Sequence, residues 1–319
     1  MREPGGLDVV TVGEAMGLFI AQQPGPLDQV SGFARATAGA ELNVAVGLAR
    51  LGHRVAYLSR LGDDSLGRHL RAFMAAEGID THHVATDPAR PTGLMFKGLC
   101  TDGSDPAIEY RRAGSAASAL GPRDYPAATC AGARHLHLTG ISPGVSGSLR
   151  ELVFMMARLA RQGGRSVSFD PNLRPRLWAS EQEMRDTLNA LAAEADWVLP
   201  GLAEGQRLTG RDTAQGVAAF YLDRGARCVV VKLGPQGAWY AERDGAQGLV
   251  PGVPAPRVVD TVGAGDGFAA GLISGLLEGL PLEDAVARAN RIGARVVGYP
   301  GDCDGLPTRA ELGLGPLAG

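Results

Sequence analysis

The chain has 319 residues, of which 45% are hydrophobic, 5% aromatic and 20% charged, with a net charge of −3. That balance supplies an aliphatic core and excludes a disordered chain, a basic nucleic-acid surface and a polybasic membrane surface. No run approaches the roughly 18 apolar residues of a membrane span, the Met1-Arg2-Glu3-Pro4 start carries no apolar leader, and Cys100, Cys130, Cys228 and Cys303 form no Cys-x-x-Cys pair, so a cytoplasmic chain with buried thiols is expected.

Taken in chain order, Val9–Val12 reads as a strand. It runs into Gly13-Glu14-Ala15-Met16-Gly17, which lacks the Gly-x-Gly-x-x-Gly of a dinucleotide fold, and Gly-x-x-x-x-Gly-Lys-[Ser/Thr] is absent throughout. Residues 14–38 are extended and punctuated by Pro and Gly, without a helical period. A helix over Glu41–Leu51, a strand over Arg54–Arg60 and a helix over Ser65–Glu77 follow, with Asp63-Asp64 as a turn and helix-start device. Thr92–Cys100 and Ala107–Arg112 read as two strands joined by Thr101-Asp102-Gly103-Ser104-Asp105-Pro106, a hairpin signal. Next come strands over Leu136–Thr139, Ser166–Asp170 and Trp197–Leu199, interleaved with helices over Ser148–Gln162, Ser180–Ala193 and Thr213–Arg224. Strands over Cys228–Leu233 and Ala238–Ala241 precede helices over Asp266–Glu278 and Leu282–Val297. His135 and His137 share a strand face without a third ligand nearby, so sheet packing is preferred to zinc. Short Val-rich strands alternating with helices predict an α/β fold: a mainly parallel central sheet flanked by helices on both faces. The strands of 14–38 and 91–112 have no covering helix and are expected to form a small β-sheet lid within one domain spanning 1–319.

The most informative segment is Asp260-Thr261-Val262-Gly263-Ala264-Gly265-Asp266-Gly267-Phe268. Gly263, Ala264 and Gly265 at a helix start leave backbone N–H groups uncovered, and the helix dipole adds positive charge, so this is a seat for an anion. Asp266 in the first turn would repel that anion as a binding group. It makes sense as a base that takes a proton from a hydroxyl attacking phosphorus.

Other segments match a known pattern. With Gly39-Ala40-Glu41-Leu42-Asn43-Val44-Ala45, Leu48-Ala49-Arg50-Leu51-Gly52, Arg60-Leu61-Gly62-Asp63-Asp64 and Gly67, this segment makes the chain resemble a PfkB/ribokinase-type carbohydrate kinase over essentially its full length. Pro91-Thr92-Gly93-Leu94, Tyr110 to Ser118, Leu136 to Ile141 and Asp170 to Trp178 resemble, within that family, kinases of 2-keto-3-deoxygluconate. The resemblance implies a ribokinase-like fold, ATP and Mg²⁺ as cofactors, and a sugar pocket lined by Gly39 and Asn43 and closed by Asp302. It implies an adenosine site at Lys232, Gly234, Gly237 and Asn290, with Gly265 also touching the nucleotide. Asn172 would face the phosphates and Glu204 the Mg²⁺ through water, since Mg²⁺ dehydrates reluctantly. It allows K⁺ on the backbone carbonyls after Asp260, and a homodimer assembled through the lids. The chain departs from the family at Gly201-Leu202-Ala203-Glu204, where Asn-x-x-Glu is usual, at Arg111, where a second Tyr is common, and at Ala38, which replaces the first of two glycines.

Period-2 alternation puts Tyr110 and Arg112 on one face of the lid strand, where Arg suits a carboxylate and Tyr a hydroxyl. Arg174 follows Asp170-Pro171-Asn172 at a strand end, where open α/β sheets place ligands. Together they favour a sugar acid, and the resemblance implies that it is phosphorylated at its 6-hydroxyl. The rivals are the same chemistry on a neutral sugar such as fructose or ribose, and a catalytically silent sugar-binding regulator.

Overall fold

The structure, a computed structural model, describes residues 6–99, 106–243 and 245–317. The hairpin turn expected at 101–106 falls almost wholly outside them. Strands β1 (Val9–Val12), β2 (Met16–Ala21) and β3 (Phe33–Ala38) precede helix α1 (Ala40–Arg50). Then come β4 (Val55–Gly62), α2 (Ser65–Ala76), β5 (Val84–Asp87), β6 (Gly93–Lys97) and β7 (Ile108–Arg111). The middle of the chain holds α3 (Ala127–Gly132), β8 (His135–Thr139), α4 (Ser142–Val145), α5 (Gly147–Gln162), β9 (Ser166–Asp170), α6 (Glu181–Ala192), β10 (Trp197–Val198), α7 (Leu202–Thr209) and α8 (Ala214–Leu222). It ends with β11 (Cys228–Lys232), β12 (Gly237–Glu242), β13 (Gln247–Pro251), α9 (Ala264–Leu277) and α10 (Leu282–Val296).

Nine strands form the central sheet in the order β13-β12-β11-β10-β9-β8-β1-β4-β5. It is parallel from β11 to β5, and β12 pairs antiparallel with both β11 and β13. Strand alternation sends Val9, Val55 and Val230 into a core beneath α1, α2, α9 and α10, and Val10, Ala56 and Val229 into a second core beneath α5, α6 and α8. Both faces are therefore covered, as the Val-rich strands require.

The second sheet has four strands in the order β3-β2-β6-β7. β2 and β6 run parallel; β3 and β7 flank them antiparallel. Met16, Leu18, Ala38 and Met95 cluster on its inner face. Phe96 stacks on Phe19 and meets Phe33 edge-on across its outer face, with ring centroids 5.5 and 5.6 Å apart.

Five elements escaped the sequence pattern, two of them the short helices α3 and α4. β13 is an edge strand carrying Gly and Pro, with Leu249 51% exposed, so it lacks an alternating signature. β5 is four residues long, and α7 is a two-turn helix started by Glu204 rather than by an apolar stripe. The β-branched run at 257–260 is irregular chain, and Val258 is 58% exposed. Asp64 caps α2, accepting from Gly67 N at 2.7 Å.

Candidate active site

Two cavities open at the carboxyl ends of the parallel strands, where an open α/β sheet places its ligands. One, of about 670 Å³, lies between the small sheet and the central sheet and is lined by Gly39, Asn43, Tyr110, Arg112, Asn172, Arg174, Asp266 and Asp302. The other, of about 730 Å³, is lined by Gly234, Gly237, Val253, Phe268 and Asn290. Lys232, Thr261 and Gly265 line both, so the cavities meet at the start of α9. Gly263 begins that helix with φ 84°, and a Cβ there would lie 2.5 Å from the Asp302 carbonyl. Only glycine fits both constraints. A Cβ on Gly265 would meet only Lys232 Nζ, at 3.7 Å, so the space in front of these amides is open to a ligand.

Asp266 points into the first cavity and is 7% exposed. Asn43 Nδ2 donates to its Oδ2 at 2.7 Å and Asn172 Nδ2 to its Oδ1 at 3.2 Å. Burial, reinforced by Asp170 and Asp302, pushes its carboxyl up to about 7 against the pull of Asn43 and Arg174. Cys303 Sγ donates to Asn43 Oδ1 at 3.0 Å, which turns the amide so that its NH₂ faces the aspartate.

Asn172 holds φ 40°, alone among the described non-glycine residues in a positive φ. Its turn is tied down by Asp170, which accepts from Asn172 N at 3.2 Å, and by Glu204, which accepts from Leu173 N at 2.7 Å. The other Glu204 oxygen accepts from Gly201 N at 2.8 Å, starting α7. Lys232 Nζ donates to Asp170 Oδ2 at 2.6 Å. Burial opposes the Lys232 charge, but Asp170 and Glu204 outweigh it and keep the ammonium protonated.

The two arginines expected to meet a carboxylate differ in their freedom. Arg112 is buried and committed: Nε donates to Glu14 Oε2 at 2.6 Å, and Ser115 Oγ takes the other oxygen at 2.5 Å. Arg174 Nη1 donates to the Leu173 carbonyl at 3.0 Å, and no carboxylate among the described residues pairs with it. Gly39, with φ 141°, caps α1 where a Cβ would lie 2.6 Å from the Glu14 carbonyl, so close chain approach as well as access demands glycine. On the far side, Asn290 Nδ2 donates to the Val250 and Pro251 carbonyls, both at 3.1 Å, and pins the end of β13 to the second cavity. Among the described residues, no group of three or more His, Cys, Asp or Glu could hold a metal ion. His135 hydrogen-bonds Ser166 and Ser168 and stacks on Trp197.

The description "pfkB family carbohydrate kinase" matches residues 7–309. The chain belongs to the pfkB family of carbohydrate kinases. It is similar to 2-dehydro-3-deoxygluconokinase of Bacillus subtilis (strain 168), 47% identical over 96% of this chain and 94% of that protein. Among solved structures it is similar to a PfkB protein from Polaromonas sp. JS666, with a TM-score of 0.89 and 54% identity over 97% of this chain and 100% of that one. A putative ribokinase II from E. coli, solved in complex with ATP and Mg²⁺, superposes with a TM-score of 0.89 at 27% identity, covering 96% of this chain and 98% of that one.

This pfkB-family kinase gathers every site residue expected from its sequence around one pair of cavities, Glu204 included. The geometry also brings in residues that sequence reasoning passed over. Glu14 and Glu41 line the first cavity from the ends of separate elements, and Glu41 accepts from Thr139 Oγ1 and Ser142 Oγ at 2.6 and 2.7 Å. Arg176 lines it from the exposed side. Lys97 holds Asp302 at 3.1 Å. Its signal was available: Lys97 and Lys232 are the only lysines among the 31 Lys and Arg residues of the sequence.

Proposed function

We propose that this kinase transfers the γ-phosphoryl group of ATP to the 6-hydroxyl of 2-keto-3-deoxygluconate, which is 2-dehydro-3-deoxygluconate, giving its 6-phosphate. The observation that carries the choice of substrate is Arg174, a guanidinium facing the sugar cavity with no carboxylate partner among the described residues. An unneutralised guanidinium beside the base is best matched by an acid group on the substrate. The 47% identity to the Bacillus subtilis enzyme supports the same reading.

In this reading Asp266, with a proton affinity near neutrality, takes the hydroxyl proton. The amides of Gly263, Ala264 and Gly265 face the charge that builds on the transferring group. Lys232, charged and shared by both cavities, adds to that field. Asn43 and Asn172 hold the aspartate in place from both sides. Mg²⁺ would neutralise ATP oxygens, held mainly by those oxygens and water, with Glu204 beyond the water. Gly234, Gly237 and Asn290 shape the adenosine side. The small sheet acts as the lid that excludes water, and its outer phenylalanine face pairs two copies in the cytoplasm.

A coupled ADP-release assay over 2-keto-3-deoxygluconate, its C4 epimer, fructose and ribose tests this. The acid sugars should lead in kcat/KM. Preference for fructose or ribose would reject the acid-sugar reading, and no sugar-dependent turnover at all would leave a silent sugar binder.

A further inference from the structure

Lys97 ends β6, paired across the sheet with Ile20 of β2 and with Ile108 of β7. Its neighbour Phe96 points outward, and Lys97 points into the body of the molecule, where its side chain is 2% exposed. Three oxygens converge on Nζ: a carboxylate oxygen of Asp260, Asp302 Oδ1 at 3.1 Å and the Pro300 carbonyl at 3.4 Å. Asp260 opens the turn that leads to Gly263, and Pro300 and Asp302 belong to the turn packed against Gly263. The ammonium therefore sits between the two turns whose contact builds the anion seat.

We infer that Lys97 is a built-in monovalent cation, filling the position beside Asp260 that a bound K⁺ would otherwise take, so that this kinase works without K⁺. An ammonium is a compact single charge with three donors that oxygens can surround as they surround K⁺, whereas a guanidinium is planar and cannot. In a chain whose 31 Lys and Arg residues include only two lysines, lysine stands at two positions where a compact cation meets aspartates, 97 and 232. A second cation beside this ammonium would be repelled in a poorly solvated site. Because the charge is carried by a strand of the small sheet, the anion seat is held in shape only when that sheet is docked. A free ion would impose no such dependence.

The inference rests on the kinase reading but not on the choice of sugar, because two of its readouts need no substrate. The wild-type enzyme, exchanged into choline chloride, should keep its kcat/KM within about twofold of the value in KCl at equal ionic strength. Its Tm should not respond selectively to K⁺, and mass spectrometry should find no stoichiometric K⁺ or Rb⁺. Lys97→Ala in choline should lose about tenfold or more in kcat/KM, as expected for a lost charged contact at the seat. K⁺ or methylammonium should then restore part of the rate and raise the variant's Tm, while Li⁺ should not. Wild-type activation by K⁺ of more than about threefold, or one bound K⁺ per chain, would overturn the inference. So would a Lys97→Ala enzyme that is fully active in choline, or one whose Tm and rate ignore every cation. If that variant fails to fold, the wild-type cation content and Tm still decide.

Discussion

As the proposed base, Asp266 should tie the rate of this enzyme to pH in a direction set by its surroundings. Burial raises its carboxyl from the ordinary 3.8 to about 7, so the activity limb should rise with pH and level off above neutrality. The stability consequence has the opposite sign. The folded state binds this proton more tightly than the unfolded chain, so the penalty is absent below about pH 4, grows as pH rises and is complete above about 7. Asp266→Asn should thus lower kcat by about 10²–10⁴ with KM little changed. The same variant should be more stable than wild type at pH 8, by about 1–3 kcal/mol, and not at pH 4. Retention of more than about a tenth of kcat would remove Asp266 as the base; thermal melts at the two pH values check the rest.

The arginines separate at the same scale. Truncating Arg174 should cost about 1.5–3 kcal/mol in transition-state binding of 2-keto-3-deoxygluconate and little with fructose, so the ratio of the two kcat/KM losses is the measurement. Arg112→Ala strands a buried Glu14, so it should lower stability by about 3–5 kcal/mol and damage both substrates alike. Glu14→Gln in the same chain should recover part of that stability. The Cβ of Gly265→Val meets only Lys232 Nζ, at an ordinary contact distance of 3.7 Å, but the side chain fills the space before the amides, so Tm should hold while turnover is lost.

At the scale of elements, α9 positions Asp266 because it lies close to its neighbours. A Cβ on Gly271 would lie 2.9 Å from Ala289 Cα in α10, and one on Gly47 would lie 2.7 Å from Ala270 Cβ, between α1 and α9. Gly271→Leu should therefore push α9 off α10, costing about 1–3 kcal/mol and displacing Asp266, and a fall in both Tm and kcat would register it. The helix itself was legible from Phe268, Leu272 and Leu276 at i, i+4 spacing, although α9 is buried on nearly every side from Asp266 to Gly275. α7 was not legible, because its start depends on Glu204 bonding two backbone amides, one of them 31 residues away at Leu173. β13 was hidden for a related reason: an exposed edge strand has one neighbour and no buried face to impose a period.

For the whole molecule, the proposed pairing of two copies rests on the small sheet. Phe19, Phe33 and Phe96 share its outer face, and a second copy covering them would bury aromatic surface that one chain leaves half-exposed. Sedimentation should show a dimer, and Phe96→Glu should shift it toward monomer while raising KM for the sugar, because an undocked lid closes less well. A monomeric wild type would remove the proposal.

The sequence by itself determined the periodic part of this protein and the glycine-led start of α9. Alternating Val-rich strands and amphipathic helices specify a two-faced parallel sheet, and Gly263 to Asp266 specify a glycine-led helix start with an aspartate in its first turn, because both depend on residues close together in the chain. Only the tertiary structure decided which charges are free. Arg112 and Arg174 read alike as letters, yet Arg112 is neutralised by a glutamate 98 residues away while Arg174, among the described residues, meets only backbone carbonyls. Lys97 acquires its partners 203 and 205 residues down the chain, at Pro300 and Asp302. Charge pairing is a matter of distance through space, and no local pattern encodes a partner that the fold must first bring near.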